Sequence, residues 1–479
     1  MLVGRNKEIT RLEKTYQSSQ AELVVLYGRR RIGKTFLIRY FFEEKQCPFF
    51  QATGLQKGSL KKQLEHFAEA LAKTFTNNIP IKEPTSWDDA FKTLTQFIET
   101  ADVQHKVVIF LDELPWMATR RSGLLEALDY YWNQHWSRNS NIIVIICGSS
   151  ASWLINNIIY NKAGLHNRCT CEIKLEPFNL SETEAFLQSR HIKLNRQHIL
   201  EIYMALGGVP YYLKYIEPDL TATENIQAIL FAENAPLKEE FKKLFSSLFV
   251  NPDAYIELIK LISEKKGGVE RAWLESKSKL SPGGGRLTER LTQLEQTNFI
   301  NTLIPAEKQR GEYYKVIDEF CLFYMSWLSN NGGKKLLPDH WLRQTKKPIY
   351  HVWAGYAFEA VCHKHMMQII KKLNILTAES ISAWRLTANR EHEQGAQIDF
   401  LVNRDDDAIT IGEIKYTDDP FIIDKQYAET LAKKLDVFKN KTKTKKQLFV
   451  VLISANGLKK NQYSNQLISG LVTLEDLFT

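Results

Sequence analysis

Apolar residues along the first 180 positions fall into two patterns. Continuous runs at 22–27, 106–111 and 141–147 read as strands buried on both faces, and the stretches near 58–75, 86–100 and 122–137 read as helices. Residues 48–52 and 169–175 predict two more strands, and an amphipathic helix reaching about Gln17 precedes them all. Strands alternating with helical segments predict an α/β fold with a parallel, doubly wound sheet. From 181 to 249 the pattern is helical, broken at Gly207-Gly208-Val209-Pro210 by a helix stop and restart. Beyond it come an amphipathic helix over 254–262, a second starting at Val269, the breaker 281–285 and a third carrying Arg286 and Arg290. Two strands, 299–303 and 312–316, follow. That succession predicts a winged helix-turn-helix, a module that either reads a DNA groove with its third helix or serves only for packing. Asn330-Asn331-Gly332-Gly333-Lys334-Lys335 is the best linker candidate. The last stretch offers a helix containing residues 356–361, then two strands, 396–402 and 409–416, about the acidic turn Asp405-Asp406-Asp407. These read as a hairpin.

The junction after the first strand carries the most specific chemistry. Gly28-Arg29-Arg30-Arg31-Ile32-Gly33-Lys34-Thr35 fits G-x-x-x-x-G-K-[ST] between a predicted strand and a predicted helix, the context a phosphate loop requires. Gly28 and Gly33 let successive N–H groups turn inward toward phosphate oxygens, and the helix beginning near Lys34 adds its positive end. In this reading Lys34 reaches the β/γ-phosphates of ATP and the Thr35 hydroxyl holds Mg²⁺. The run ending in Asp112-Glu113 delivers a carboxylate to the carboxyl edge of the sheet. Asp112 is expected to orient the Mg²⁺ shell and Glu113 to activate a water. Ser149, just past the 141–147 strand, is placed to sense the γ-phosphate, an ordinary Gly-Ser turn being the plainer alternative.

Composition narrows the picture only slightly. The 479 residues suggest two to four domains, and 44% hydrophobic with 25% charged residues is ordinary for a soluble protein. A net charge of +8 spread over this length favours an acidic partner only mildly. The six cysteines are scattered, and Cys169 with Cys171 lacks a second ligand pair, so neither zinc nor disulfides are expected. The start of the chain shows no signal-peptide pattern and no run approaches a membrane span, so a cytoplasmic protein with no membrane partner is expected.

The phosphate loop, Leu111-Asp112-Glu113-Leu114-Pro115-Trp116 and Gly208-Val209-Pro210 together resemble the prokaryotic archaeal-type ATPases of the STAND group. That resemblance implies an ATP-driven conformational switch, with oligomerisation possible. Gly4-Arg5 followed by Glu8 resembles the opening box of AAA+ and related ATPases, which packs beside the adenine, a plain N-terminal helix cap being the alternative. Arg168 stands where an arginine finger would reach the γ-phosphate of its own or a neighbouring subunit, a surface arginine flanking a strand being the plainer alternative.

A second constellation lies in the hairpin. If the turn is 405–407, paired residue numbers sum to 812 and Asp399 falls opposite Glu413. Like charges directly opposite are destabilising, and a bridging divalent cation is one remedy. Lys415 lies on the same face as Glu413, and Glu359 from the preceding helix can complete an oxygen shell for Mg²⁺. A surface hairpin with a cross-strand salt bridge is the alternative. The spacing resembles the PD-(D/E)xK nuclease core, with Asp399 as first acid and Glu413-Ile414-Lys415 as E-x-K, although Ile398 stands in place of the proline. The region also resembles the DUF234 domain that follows such ATPases. The resemblance implies metal-dependent cutting of DNA or RNA, or a relic that binds nucleic acid or protein without cutting. The expected organisation is therefore a P-loop ATPase core (1–180), a helical lid (181–250), a winged helix (251–330), a linker (331–348) and an α/β restriction-endonuclease-like domain (349–479).

Overall fold

Five parallel strands build the first sheet: β1 Glu22–Tyr27, β2 Phe49–Thr53, β3 Val107–Asp112, β4 Ile142–Gly148 and β5 Cys171–Lys174, in the order β2-β3-β4-β1-β5. The computed structural model describes residues 2–100, 105–119, 121–160, 165, 167–265, 267–278, 285–303, 312–329, 339–386 and 396–479. β1, β3 and β4 are almost wholly buried, as their unbroken apolar runs require of strands covered on both faces. One face is covered by the helices Leu60–Phe75, Trp87–Thr100 and Leu124–Gln134, the other by Asn6–Tyr16 and Lys34–Glu43. Since β4 pairs with both β1 and β3, whatever follows β4 lies between the ends of those two strands.

The chain divides into two units, Met1–Pro177 and Phe178–Thr479. The second opens with the helices Leu180–Ser189 and Arg196–Leu206. The latter stops at Gly207 and the chain resumes as a helix at Pro210, as the sequence pattern predicts. The helices Pro252–Glu264, Arg271–Lys277 and Gly285–Gln296 then pack with a three-stranded antiparallel sheet ordered β6-β8-β7. Its strands are β6 Val269–Glu270, β7 Ile300–Leu303 and β8 Tyr313–Val316. Val269 and Glu270, expected to begin a helix, instead pair with Tyr314 and Tyr313, and the helix begins at Arg271. Four residues of the expected breaker, 281–284, lie outside the described residues, as does the segment 304–311 between β7 and β8.

The last sheet runs β15-β13-β11-β10-β9, from β9 Ala378–Leu386, β10 Ala396–Arg404, β11 Ala408–Lys415, β13 Gln447–Ser454 and β15 Gly470–Thr473. β12 Phe421–Ile422 and β14 Leu458–Lys459 pair separately. A large apolar core spans much of the second unit, and a smaller one lies about β9, β10, β11 and the helix Lys425–Thr442. The stretch expected to be a linker, 331–348, is outside the described residues up to 338, and beyond that it is not a tether. Trp341, on the helix His340–Gln344, is fully buried against Phe231, Phe323, Trp327 and Trp353. Burying an indole releases several times the free energy a flexible spacer could gain, so tertiary packing overrides the polar start of this stretch. Among the described residues no helix is long and apolar enough to cross a membrane.

Candidate nucleotide site and carboxylate cluster

The phosphate loop leaves β1 through Gly28, whose φ of +150° and tight setting explain the residue: a Cβ there would lie 2.2 Å from the Leu175 carbonyl oxygen. Arg31 and Gly33 also take positive φ, so the loop curls before the helix Lys34–Glu43 starts. Lys34 is buried, and its Nζ donates to the carbonyls of Gly28 (2.8 Å) and Arg29 (3.0 Å), folded over the loop it belongs to. Ile32 is buried in the core, Arg29 is buried, and the Arg30 guanidinium lies 5.9 Å from the Trp116 ring. Arg5 is buried at the rear of the loop and donates to Ile32 O (3.1 Å) and Glu176 O (2.6 Å), so the opening Gly-Arg element acts here as a clamp on the loop.

The acids stand across from it. Thr35 Oγ1 donates to Asp112 Oδ2 at 2.9 Å, and Asp112 Oδ1 is buried with no hydrogen-bond partner. A hydroxyl and an unsatisfied buried carboxylate oxygen side by side fit a hard divalent cation. Burial and the charge of Asp112 push the neighbouring Cys147 thiol well up from its ordinary range. Glu113 turns out of β3 in the left-handed region (φ 50°, ψ 47°), a conformation uncommon for a residue with a side chain. Its Oε2 accepts both the backbone N–H (3.0 Å) and the hydroxyl (2.9 Å) of Ser149. The order of the strands thus places Ser149 beside the acids, as expected, and adds that it grips Glu113.

Arg168 lies elsewhere. Thr170 pairs with Leu23 at the start of β1, so the parallel register puts Arg168, exposed, at the amino edge of the sheet. The loop, Asp112 and Glu113 are at the carboxyl edge, roughly 16 Å of strand away, and an arginine side chain cannot cover that span. A contact with the nucleotide of its own subunit is therefore excluded by geometry.

In the second unit β10 pairs with β11 as Phe400↔Gly412, Leu401↔Ile411, Val402↔Thr410 and Asn403↔Ile409, the register inferred from the turn. Gly412 is needed because the Phe400 ring lies over it; a Cβ would be 1.9 Å from Phe400 Cε1. Asp399 Oδ2 accepts the Ile414 N–H at 2.9 Å. Burial foremost, then the charges of Glu413 and Glu359, push the Asp399 carboxyl up to about 7 against the pull of Ile414 N–H and Lys415. Glu413 is buried, and both its oxygens are engaged: Lys434 Nζ donates at 2.7 and 2.9 Å and the Tyr427 hydroxyl at 3.0 Å, with Lys415 Nζ 3.7 Å away. Glu359 Oε1 accepts from Lys315 Nζ at 2.6 Å and lies 3.7 Å from His363 Nε2. Burial pushes Glu359 up, but His363 and Lys315 outweigh it and bring it down to about 2.

Lys315, Glu359, His363 and Asp399 line one cleft. Among the described residues no three His, Cys, Asp or Glu side chains gather into a group able to hold a metal ion. The arrangement of Glu359, Asp399 and Glu413 therefore does not fit the Mg²⁺ shell expected of them: Glu359 and Glu413 are engaged by lysines, and Asp399 Oδ2 by the Ile414 N–H. Sequence reading missed Lys315, Tyr427 and Lys434. The spacing of seven between Tyr427 and Lys434, which puts both on one face of the helix Lys425–Thr442, was the available signal.

A five-stranded parallel sheet with a phosphate loop after β1 and an acidic strand two positions away defines a P-loop ATPase domain. Residues 2–216 match the family described as an ATPase domain predominantly from Archaea, and this part of the chain belongs to that family. The match extends past Pro177 into the first helices of the second unit. An uncharacterized protein of Methanocaldococcus jannaschii is 25% identical over 423 residues, 87% of this chain and 88% of that protein. An uncharacterized ATP-binding protein of the same organism is 48% identical over 46 residues, 10% of this chain and 78% of the relative. Among solved structures, a Walker-type ATPase of Pyrococcus abyssi superposes with a TM-score of 0.46 at 18% identity, covering 67% of this chain and 95% of that one.

Proposed function

We propose that the protein is an ATP-hydrolysing switch of the STAND type, carrying a winged-helix module and a PD-(D/E)xK-like C-terminal module. The observation that carries the reading is Asp112 Oδ1, a buried carboxylate oxygen left unsatisfied beside the Thr35 hydroxyl. Thr35 and Asp112 would hold Mg²⁺, which supplies charge neutralisation on the phosphate oxygens. The Lys34 ammonium exchanges its two carbonyl contacts for phosphate oxygens, and the inward N–H groups of residues 28–35 cradle the remainder. Glu113, held through Oε2 by its two Ser149 donors, takes up the attacking water's proton on its other carboxylate oxygen. Arg168, out of reach of its own site, could act only on the nucleotide of a neighbouring copy. ATP turnover tests the reading: loss of hydrolysis in both Lys34→Ala and Glu113→Gln is expected, and turnover unchanged in either overturns it.

For the C-terminal module the geometry favours a scaffold that recognises nucleic acid or protein without cutting, because Glu413 and Glu359 are held by lysines. A metal-dependent nuclease is the second reading, favoured by Asp399, which reaches the β11 backbone at Ile414 next to Glu413, with Lys415 Nζ 3.7 Å from Glu413. Incubating plasmid and single-stranded DNA and RNA with Mg²⁺ or Mn²⁺ separates the two. Cleavage lost in Asp399→Ala and Lys415→Ala would establish the nuclease, and its absence in the wild type would leave the scaffold.

A further inference from the structure

The cleft beside β10 is walled on one side by the three-stranded sheet and on the other by the C-terminal sheet: Gly267, Tyr313 and Lys315 face Arg385, Gln397 and Asp399. Lys315 is the one side chain from β8 that enters an ion pair with the carboxylates described above. It is almost completely buried, as is its partner Glu359. Lys315 pairs with Glu359, and Lys415 and Lys434 both pair with Glu413, so the lysines arrive from three different elements: β8, β11 and the helix Lys425–Thr442. Buried charges this close are tolerable only when paired, and each lysine therefore fixes the element that carries it. Lys415 and Lys434 belong to the same module as Glu413. Lys315 alone crosses from another sheet.

We propose that Lys315 is a latch, an internal ammonium group by which the three-stranded sheet is ion-paired to the carboxylate cluster in place of a divalent cation. Withdrawal of β8 removes one positive charge from a buried group of three acids, so the position of the three-stranded sheet and the charge of the cluster are a single variable. The inference rests on the scaffold reading of the C-terminal module; Mn²⁺ uptake reports failure of that reading, and β8 exchange reports failure of the latch.

Hydrogen exchange of the full chain reads the latch directly. Lys315→Met and Glu359→Gln are expected to speed exchange of the β6 and β8 amides by at least tenfold and to leave β1 and β3 unchanged. Lys315→Arg retains protection, and the double variant Lys315→Met/Glu359→Met, which removes both charges, recovers most of it; recovery distinguishes a latch from general unfolding. Mn²⁺ titration without nucleotide should give the same uptake for wild type and Asp399→Asn. Unchanged β8 exchange in Lys315→Met, or Mn²⁺ uptake that Asp399→Asn abolishes, overturns the proposal.

Discussion

Ser149 donates twice to one oxygen of Glu113, through its backbone N–H at 3.0 Å and its hydroxyl at 2.9 Å. The backbone bond survives any side-chain change, so Ser149→Ala removes only half of the grip. A single hydroxyl hydrogen bond to a charged group contributes on the order of 1–2 kcal/mol. Turnover of ATP by Ser149→Ala is expected to fall about 5–30-fold in kcat with little change in KM, and Ser149→Thr to remain near wild type. Glu113→Gln, which removes the base itself, should lose about 10²-fold or more. Steady-state kinetics on the three variants checks the order.

Arg5 ties the rear of the phosphate loop to the residue before Pro177 through Ile32 O and Glu176 O. Its removal leaves two carbonyls without their charged donor. Arg5→Ala is expected to destabilise the first unit by about 2–3 kcal/mol and to weaken ATP binding. Chemical denaturation with and without ATP measures both, and a variant that unfolds like wild type and binds ATP equally well would show the clamp to be idle.

Glu413 depends on Lys434 in a way an exposed pair would not. With Lys434→Met the buried carboxylate keeps only the Tyr427 hydroxyl and a lysine 3.7 Å away, and a loss of about 3–5 kcal/mol is expected. Glu413→Gln/Lys434→Met should recover part of it, since removing both charges also removes the uncompensated one. A double-mutant cycle on unfolding free energies gives the coupling.

Asp399 has a pH signature with a definite sign. Its folded-state value, up to about 7, lies above the 3.8 of an ordinary aspartate, so the native state holds the proton more tightly than the unfolded state. Below about pH 4 both states are protonated and the group is neutral in the balance. As pH rises from 4 to 7 the unfolded state ionises freely and the native state does so at a cost, so stability falls through that window and levels off above it. Asp399→Asn is therefore expected to gain in Tm relative to wild type between pH 4 and pH 8, a difference that thermal unfolding at a series of pH values would reveal. A Tm difference independent of pH would contradict the burial argument.

The order of residues alone determined the phosphate loop, the acidic strand and the register of the C-terminal hairpin. These are local: glycine positions, an unbroken apolar run and a three-residue turn fix them whatever the rest of the chain does. Residues 28–35, Asp112, Glu113 and the pairing about 405–407 are therefore legible without coordinates. Only the tertiary structure decided that Ser149 grips Glu113, that Arg168 lies at the opposite edge of its sheet, that Trp341 is core, and that Lys315 and Lys434 neutralise Glu359 and Glu413. Each depends on elements far apart in sequence meeting in space. A charge that is solvated in one arrangement and buried in another carries no mark of the difference in its own neighbourhood, so the partner of a buried carboxylate becomes known only when the fold brings it there.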